Sequence, residues 1–550
     1  MKTNSFERSA DLLVSSESDQ AARTGLGAKP CVARVIAKIF VCLLIVGVWH
    51  EAGLAADPNT PDQALETRVE GLIPDLERYV TSGMKAFDVP GLAIGIVAND
   101  KLVYGKGFGV RSKEGGGGTV DTRTVFQIGS ATKGFLATTL AMMVDRGRLK
   151  WDDRVIDLYP DFQMKDPWVT REFRVFDLIA QRSGLPPYAN DMLGMIGVGE
   201  PEMIHSLRYV EPVSSFRSTF AYTNITHVLA GRIVAKAAGA ADWNTVLRQE
   251  LLEPLGMKES SYTAAAIAAA SNHAEGYRWT PERTVAVPFT QLFPYDFGGA
   301  GDINSTIEDT ARWVRFQLSN GTFEGRRIVS PENLAQTRTP KVALNDKLFY
   351  ALGWIVQQTP KGNVIWHNGG TTSFGAYIGF VPETGLGVTV LTNETNVGFP
   401  DAVGLWVLDR ILDNPSIDHV AKTLQAAKAK YESMRKQFAK HDKPQPSPLL
   451  APLAGNFANT SFGKAVVRAE SDALIVEIQA TGAQFRLEPW DGDIFAVRLV
   501  PSGRFAAVAK NLGDEPNGFA QFQADAAGKP AVLRITLDDG QAYDFRREAK

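Results

Sequence analysis

Apolar positions recur at helical spacing over residues 64–87, after a polar lead at 57–63, and predict an amphipathic helix. Strand-like runs follow at 91–97 and 101–110, and the Asn99-Asp100 pair between them signals a hairpin. From Thr132 to about Ala238 the spacing is again mostly helical. Strand character returns at 377–381 and at 387–392, around a turn at Glu383-Thr384-Gly385, and a helix over 400–412 closes the unit. Strands at both ends with helices between them predict one α+β domain whose terminal segments share a sheet.

Residues 417–443 read as a helix rich in Lys and poor in acids, the pattern of a solvated linker helix, and 442–448, with three prolines, as a semi-rigid linker. Beyond this point the period changes to two. Runs at 465–469, 474–478, 485–489, 494–499, 519–523 and 533–537 alternate, with turns at Ser471-Asp472, Asp491-Gly492 and Asp538-Asp539-Gly540. Short strands at this spacing predict a small β-barrel or sandwich. The domain plan is therefore an N-terminal address over 1–56, a catalytic unit over 60–415, a linker over 416–448 and a small all-β domain over 449–550.

Composition narrows the function. The chain has 550 residues, 44% hydrophobic and 22% charged, which is ordinary globular material. A net charge of −3 leaves no basic excess for nucleic acid phosphates. The two cysteines, Cys31 and Cys42, lie beside an apolar run at 39–49, which is preceded by Arg34 and Lys38 and followed by small residues up to Ala55 and Ala56. This is the pattern of a secretory signal peptide with an unusually long polar lead, or of an uncleaved N-terminal anchor. The run falls short of the roughly 20 residues that a membrane span needs, so no stable span is expected in the mature chain. A periplasmic or secreted, cysteine-free mature protein follows as the expectation. Such a protein has no thiol nucleophile, and its histidines show no metal-ligand spacing, so neither metal nor cofactor is expected. The glycine run 115–118 lacks the strand–loop–helix context of a phosphate-binding loop.

Candidate chemistry begins at Ser130-Ala131-Thr132-Lys133, where apolar positions from Phe135 to Val144 predict a helix that opens at the serine. A helix start favours negative charge, and a neutral lysine one turn along is able to take the serine proton. Ser-x-x-Lys occurs four times in the chain, so the spacing alone does not decide between a nucleophile and a simple N-cap. Two further motifs follow in order: Tyr222-Thr223-Asn224, ahead of an apolar helix at 225–238, and His367-Asn368-Gly369-Gly370, ahead of the strand at 377–381.

Ser130-x-x-Lys133, Tyr222-x-Asn224 and His367-x-Gly369 together resemble the serine β-lactamase and penicillin-binding-protein superfamily, in its class C β-lactamase, D-aminopeptidase, DD-carboxypeptidase and esterase branch. The resemblance runs from about Val89 to Leu412, with supporting blocks at Arg182-Ser183-Gly184-Leu185-Pro186, Gly298-Gly299-Ala300-Gly301 and Leu391-Thr392-Asn393. Tyr188-Ala189-Asn190 also fits Tyr-x-Asn. Tyr222 stands nearer the family's separation from the serine and has the expected helix after it. The resemblance implies an antiparallel sheet flanked by helices, with a helical subdomain, and a lipocalin-like barrel after it. It implies Ser130 as nucleophile, Lys133 and Tyr222 sharing the proton work, and Asn224, His367 and Gly369 holding the substrate. The oxyanion hole would be the backbone N–H groups of Ser130 and Gly370. Histidine in the third motif, where lactamases carry lysine, resembles the peptidase members and weakens any fixed charge for a β-lactam carboxylate. The expected partner is a small-molecule or peptide substrate: a peptide with D-residues, an ester or a β-lactam. A non-catalytic peptidoglycan- or ligand-binding protein of the same fold is the contrasting reading, and oligomeric state is open.

Overall fold

The computed structural model describes residues 61–537 and 540–548. The N-terminal apolar run with both cysteines, and Asp538 and Asp539 of the last turn, lie outside the described residues.

β1 (Gly91–Ala98), β7 (Gly375–Val381) and β8 (Leu386–Thr392) are buried at every position. Strands of this kind need cover on both faces. They stand inside an eight-stranded sheet with β2 (Lys101–Gly109), β3 (Val342–Ala343), β4 (Leu348–Tyr350), β5 (Ile355–Thr359) and β6 (Gly362–Gly370), in the order β2-β1-β8-β7-β6-β5-β4-β3. All neighbours are antiparallel. Chain start and chain end of the unit meet in the β1–β8 pair, with Leu92 opposite Thr392 and Ala98 opposite Leu386, as the sequence pattern predicts. Leu92, Ile94 and Ile96 of β1 pack into one core with α1 (Pro61–Phe87) and α5 (Phe399–Ile411), while Ala93 and Val97 pack into the other with α2 (Thr132–Asp145) and α4 (Ile307–Leu318). α3 (Ile225–Ala238) packs on α2 within the helical part of the unit. Phe135 of α2 stacks on Trp313 of α4 at 3.8 Å between ring centroids, locking the helix that follows Ser130 to the sheet cover.

The second unit is a closed barrel of eight sequential strands: β9 (Gly455–Asn459), β10 (Gly463–Ala469), β11 (Leu474–Ile478), β12 (Gln484–Asp491), β13 (Ile494–Leu499), β14 (Gly518–Ala524), β15 (Pro530–Leu537) and β16 (Ala542–Arg547). Closure is made by β9 and β16, with Phe457 opposite Arg547. Phe457, Phe485, Phe495, Leu533 and Phe545 fill the interior. A short helix α7 (Ala506–Leu512) interrupts the path from β13 to β14.

His367 precedes β7, as expected, and itself lies in strand β6, which runs on to Gly370 and pairs there with Gly375 of β7. Two expectations need correction. The segment at 342–359 carries three further strands of the main sheet. The helix after residue 417, α6 (His419–Gln437), is not a solvated tether. His419 binds Asp409 of α5 at 2.7 Å, the Val420 amide donates to Tyr79 of α1 at 2.9 Å, and Ala427 is buried in the core that holds α1 and α5. Phe438, just past its end, meets Phe519 of the barrel at 5.4 Å between centroids. Lys422, Lys428 and Lys436 are exposed, which is what the composition registers.

Candidate active site

Ser130 sits in a single 3-10 turn (Gly129–Ala131) that leads directly into α2, so Lys133 follows one turn later on the same side. The turn fits against the end of β6 only because both sides are glycine. Gly129 has φ +51°, and a Cβ there would stand 2.8 Å from the Gly370 nitrogen. A Cβ on Gly369 would stand 1.7 Å from the Ile128 carbonyl oxygen. Backbone thus meets backbone, and the peptide units of Ser130 and Gly370 lie side by side. The β6 end is pinned from behind. Asn368 donates to Asp401 of α5 at 2.7 Å, and Asn396 donates both to Asp401 and to the Gly369 carbonyl, each at 3.0 Å.

Lys133 is fully buried and makes three contacts through Nζ: Asn224 Oδ1 at 2.8 Å, the Ala300 carbonyl at 2.8 Å and Ser130 Oγ at 3.2 Å. The first two are acceptors without a hydrogen of their own. A neutral amine therefore spends both N–H groups on them and turns its lone pair to Ser130 Oγ. Burial pushes the lysine down to about 7, against the pull of Asp191 and Asp302. Asp191 is buried too, and burial raises it to about 7 although it accepts from Asn224 Nδ2 at 2.6 Å. The Asn224 amide is thereby fixed, oxygen to Lys133 and nitrogen to Asp191. Asp302 is likewise raised to about 7 by burial, and accepts from the Gly299 amide at 3.1 Å in the loop that presents the Ala300 carbonyl.

Tyr222 lies beside this pair, its ring centroid 4.7 Å from Lys133 Nζ. Burial raises its hydroxyl well above the usual phenol range, against a hydrogen bond with Ser130. The segment that carries it is held by Gln181, which donates to the Thr223 carbonyl at 3.1 Å and accepts from the Thr223 amide at 2.6 Å. Buried Asp177 binds Arg182 at 3.3 Å and Arg217 at 2.6 Å, tying together the two loops on either side. The two Tyr-x-Asn candidates differ in position. Tyr188 reaches the cavity, but Asn190 is buried elsewhere, between Ser206 at 2.8 Å and Tyr543 of the barrel at 3.3 Å.

His367 is buried with both ring nitrogens engaged. Nδ1 stands 2.5 Å from the Asn368 carbonyl, which only accepts, so Nδ1 carries the hydrogen and Nε2 accepts from Tyr350 at 3.1 Å. Burial, then nearby Lys133, push the imidazole down to about 3, so it is neutral at physiological pH. Sequence reasoning missed Asp191, Asp302 and the Ala300 carbonyl. The first directly follows the rejected Tyr-x-Asn, and the last is a backbone atom without a side-chain signature. Ser130, Tyr222, Asn224, His367 and Gly370 all border one cavity of about 260 Å³. Among the described residues no His, Cys, Asp and Glu side chains group to hold a metal ion.

The antiparallel sheet between helices, with a serine and a buried lysine where its edge of loops opens, defines a penicillin-binding-protein-like serine hydrolase fold. A family model described as Beta-lactamase matches residues 76–411, and the chain belongs to that family. A second model, described as a domain of unknown function (DUF3471), matches residues 439–548, the barrel and its approach. Unguisins hydrolase ungD' of Aspergillus campestris is 24% identical over 507 residues, covering 84% of this chain and 89% of the relative. Penicillin-binding protein 4 of Amycolatopsis lactamdurans is 27% identical over 320 residues, covering 56% of this chain and 81% of the relative. The solved octameric penicillin-binding protein homologue from Pyrococcus abyssi aligns with a TM-score of 0.56 at 23% identity, over 86% of this chain and all of that one.

Proposed function

We propose that the protein hydrolyses small amides or esters through an acyl-serine formed on Ser130. The observation that supports this is the lysine's hydrogen bonding: two obligate acceptors hold its N–H groups, leaving the lone pair for Ser130 Oγ. Lys133 accepts the serine proton as Oγ bonds to the carbonyl carbon. The oxyanion develops against the backbone N–H groups of Ser130 and Gly370, where one such donor contributes about 3–4 kcal/mol. As the bond to the leaving group breaks, the proton passes from Lys133 to that group. Tyr222, which stays protonated, relays it through its hydroxyl. Water then attacks the acyl carbon, giving its proton back along the same path, and Ser130 is released. Asn224 orients Lys133, and His367 braces Tyr350 and the β6 end.

A neutral His367 places no fixed cation at the third motif, which favours peptide or ester substrates over β-lactams. The two relatives named as a hydrolase and as a penicillin-binding protein support hydrolysis and leave the substrate open. The signal-like pattern at 34–56 supports a site of action outside the cytoplasm. The test is a panel of short-chain esters, D-amino-acid derivatives and nitrocefin, run on wild type and Ser130→Ala. Ester or D-peptide turnover that vanishes in the variant is the expected result. Efficient nitrocefin turnover would overturn the preference for peptides and esters, and equal turnover by the variant would overturn the serine.

A further inference from the structure

The wall of the cavity away from Ser130 is supplied by elements outside the sheet domain. α6 contributes Lys430, Tyr431 and Met434, and α7 of the barrel contributes Leu512. Tyr431 meets Trp279, which borders the same cavity, edge to face at 6.1 Å. The wall is anchored at every end. α6 is tied to α1 and α5 at its start, and Phe438 just past its end meets the barrel. α7 is held by Asn511, which donates to Thr372 at 2.8 Å, two residues beyond Gly370. Such a wall is preformed, so it discriminates by shape and not by closing on whatever binds. The charged residues among its described lining are both basic, while Asp514 stands by Arg278, and Glu282 and Glu515 act on Tyr431. Arg278 borders the cavity with its Nε buried and unpartnered, and its guanidinium lies 4.0 Å from exposed Asp514. Lys430 adds a second cation, and among the described lining residues none is Asp or Glu.

We infer that α6 and α7 belong to the substrate site and select the part of the substrate remote from the scissile bond. That part is a large aromatic or aliphatic group, neutral or anionic, seated against Tyr431, Met434, Trp279 and Leu512. A free ammonium group is disfavoured there, because the charged lining residues are basic and no lining carboxylate receives it. The inference rests on the acyl-serine reading and narrows it away from substrates with a free ammonium at the end remote from the scissile bond.

The experiment uses the full chain and two ratios of kcat/KM. The first compares p-nitrophenyl 4-phenylbutyrate with p-nitrophenyl acetate, and the second p-nitrophenyl 6-acetamidohexanoate with p-nitrophenyl 6-aminohexanoate. Each ratio is expected to exceed 10, and Tyr431→Ala and Met434→Ala are expected to lower the first at least 5-fold, mainly through KM. A ratio is independent of the folded fraction of a sample, so partial misfolding does not mimic the result. An unchanged first ratio in both variants overturns the wall assignment. A second ratio at or below 1 overturns the charge assignment. In each case a small fluorophosphonate that still labels Ser130 leaves the acyl-serine reading standing, whereas failure to label Ser130 removes both.

Discussion

Asp191→Asn isolates the electrostatics that govern the base. The substitution keeps the shape and leaves an oxygen to accept from Asn224 Nδ2, so the amide that orients Lys133 stays in place. What is lost is an anion whose attraction holds the lysine pKa higher than burial alone would. Lysine and carboxylate are separated by one amide and two hydrogen bonds, roughly 6–7 Å, so their interaction is about 2.5 kcal/mol at an effective dielectric near 20, close to two pKa units. Asp191 is itself raised to about 7 and is only partly ionised there, which cuts the expected shift to about one unit. The sign is fixed by the chemistry. Only neutral Lys133 takes the serine proton, so kcat/KM rises with pH through the lysine pKa, near 7 in the wild type. Without the Asp191 charge the ammonium form is less favoured and the acid limb moves to lower pH by about one unit. The assay is the pH profile of kcat/KM on an activated ester between pH 5 and 9, which reports the free enzyme. An acid limb that stays put or moves upward would refute the assignment of Lys133 as the base and Asp191 as its counter-charge.

Gly369→Ala drives a Cβ into the Ile128 carbonyl and is expected to separate β6 from the Ser130 turn, lowering kcat at least 100-fold in kinetic assays. Phe135→Ala removes the ring stacked on Trp313 in a fully buried position and is expected to cost about 3–5 kcal/mol in urea unfolding of the full chain. His367, pushed down to about 3, is expected to show no protonation between pH 5 and 8 in nitrogen-15 NMR of its imidazole.

Much of this site was legible because its chemistry is carried by side chains at fixed local spacing. Ser130 and Lys133 come together through one turn of backbone, and Tyr222 and Asn224 precede a helix whose apolar run ends where the structure ends it, at Ala238. The barrel was legible from its alternation. Its first and last strands, β9 and β16, escaped because Gly, Asn, Asp and Arg interrupt their apolar positions. α6 misled because charge dominates its composition while its contribution to the cavity rests on a few residues, Tyr431 and Met434 among them. The Ala300 carbonyl and the close approach of Gly129 to Gly370 are backbone events. Long-range packing creates them, and spacing along the chain does not encode it.

In the proposed chemistry Ser130 is a nucleophile activated by a neutral, buried Lys133. The direct measurement is intact-protein and peptide mass spectrometry after exposure to a small fluorophosphonate. A single covalent adduct on Ser130 is expected, absent in Ser130→Ala, forming faster as pH rises through about 7 in step with the lysine. An unmodified wild-type protein, or an equal adduct on Ser130→Ala, would contradict it.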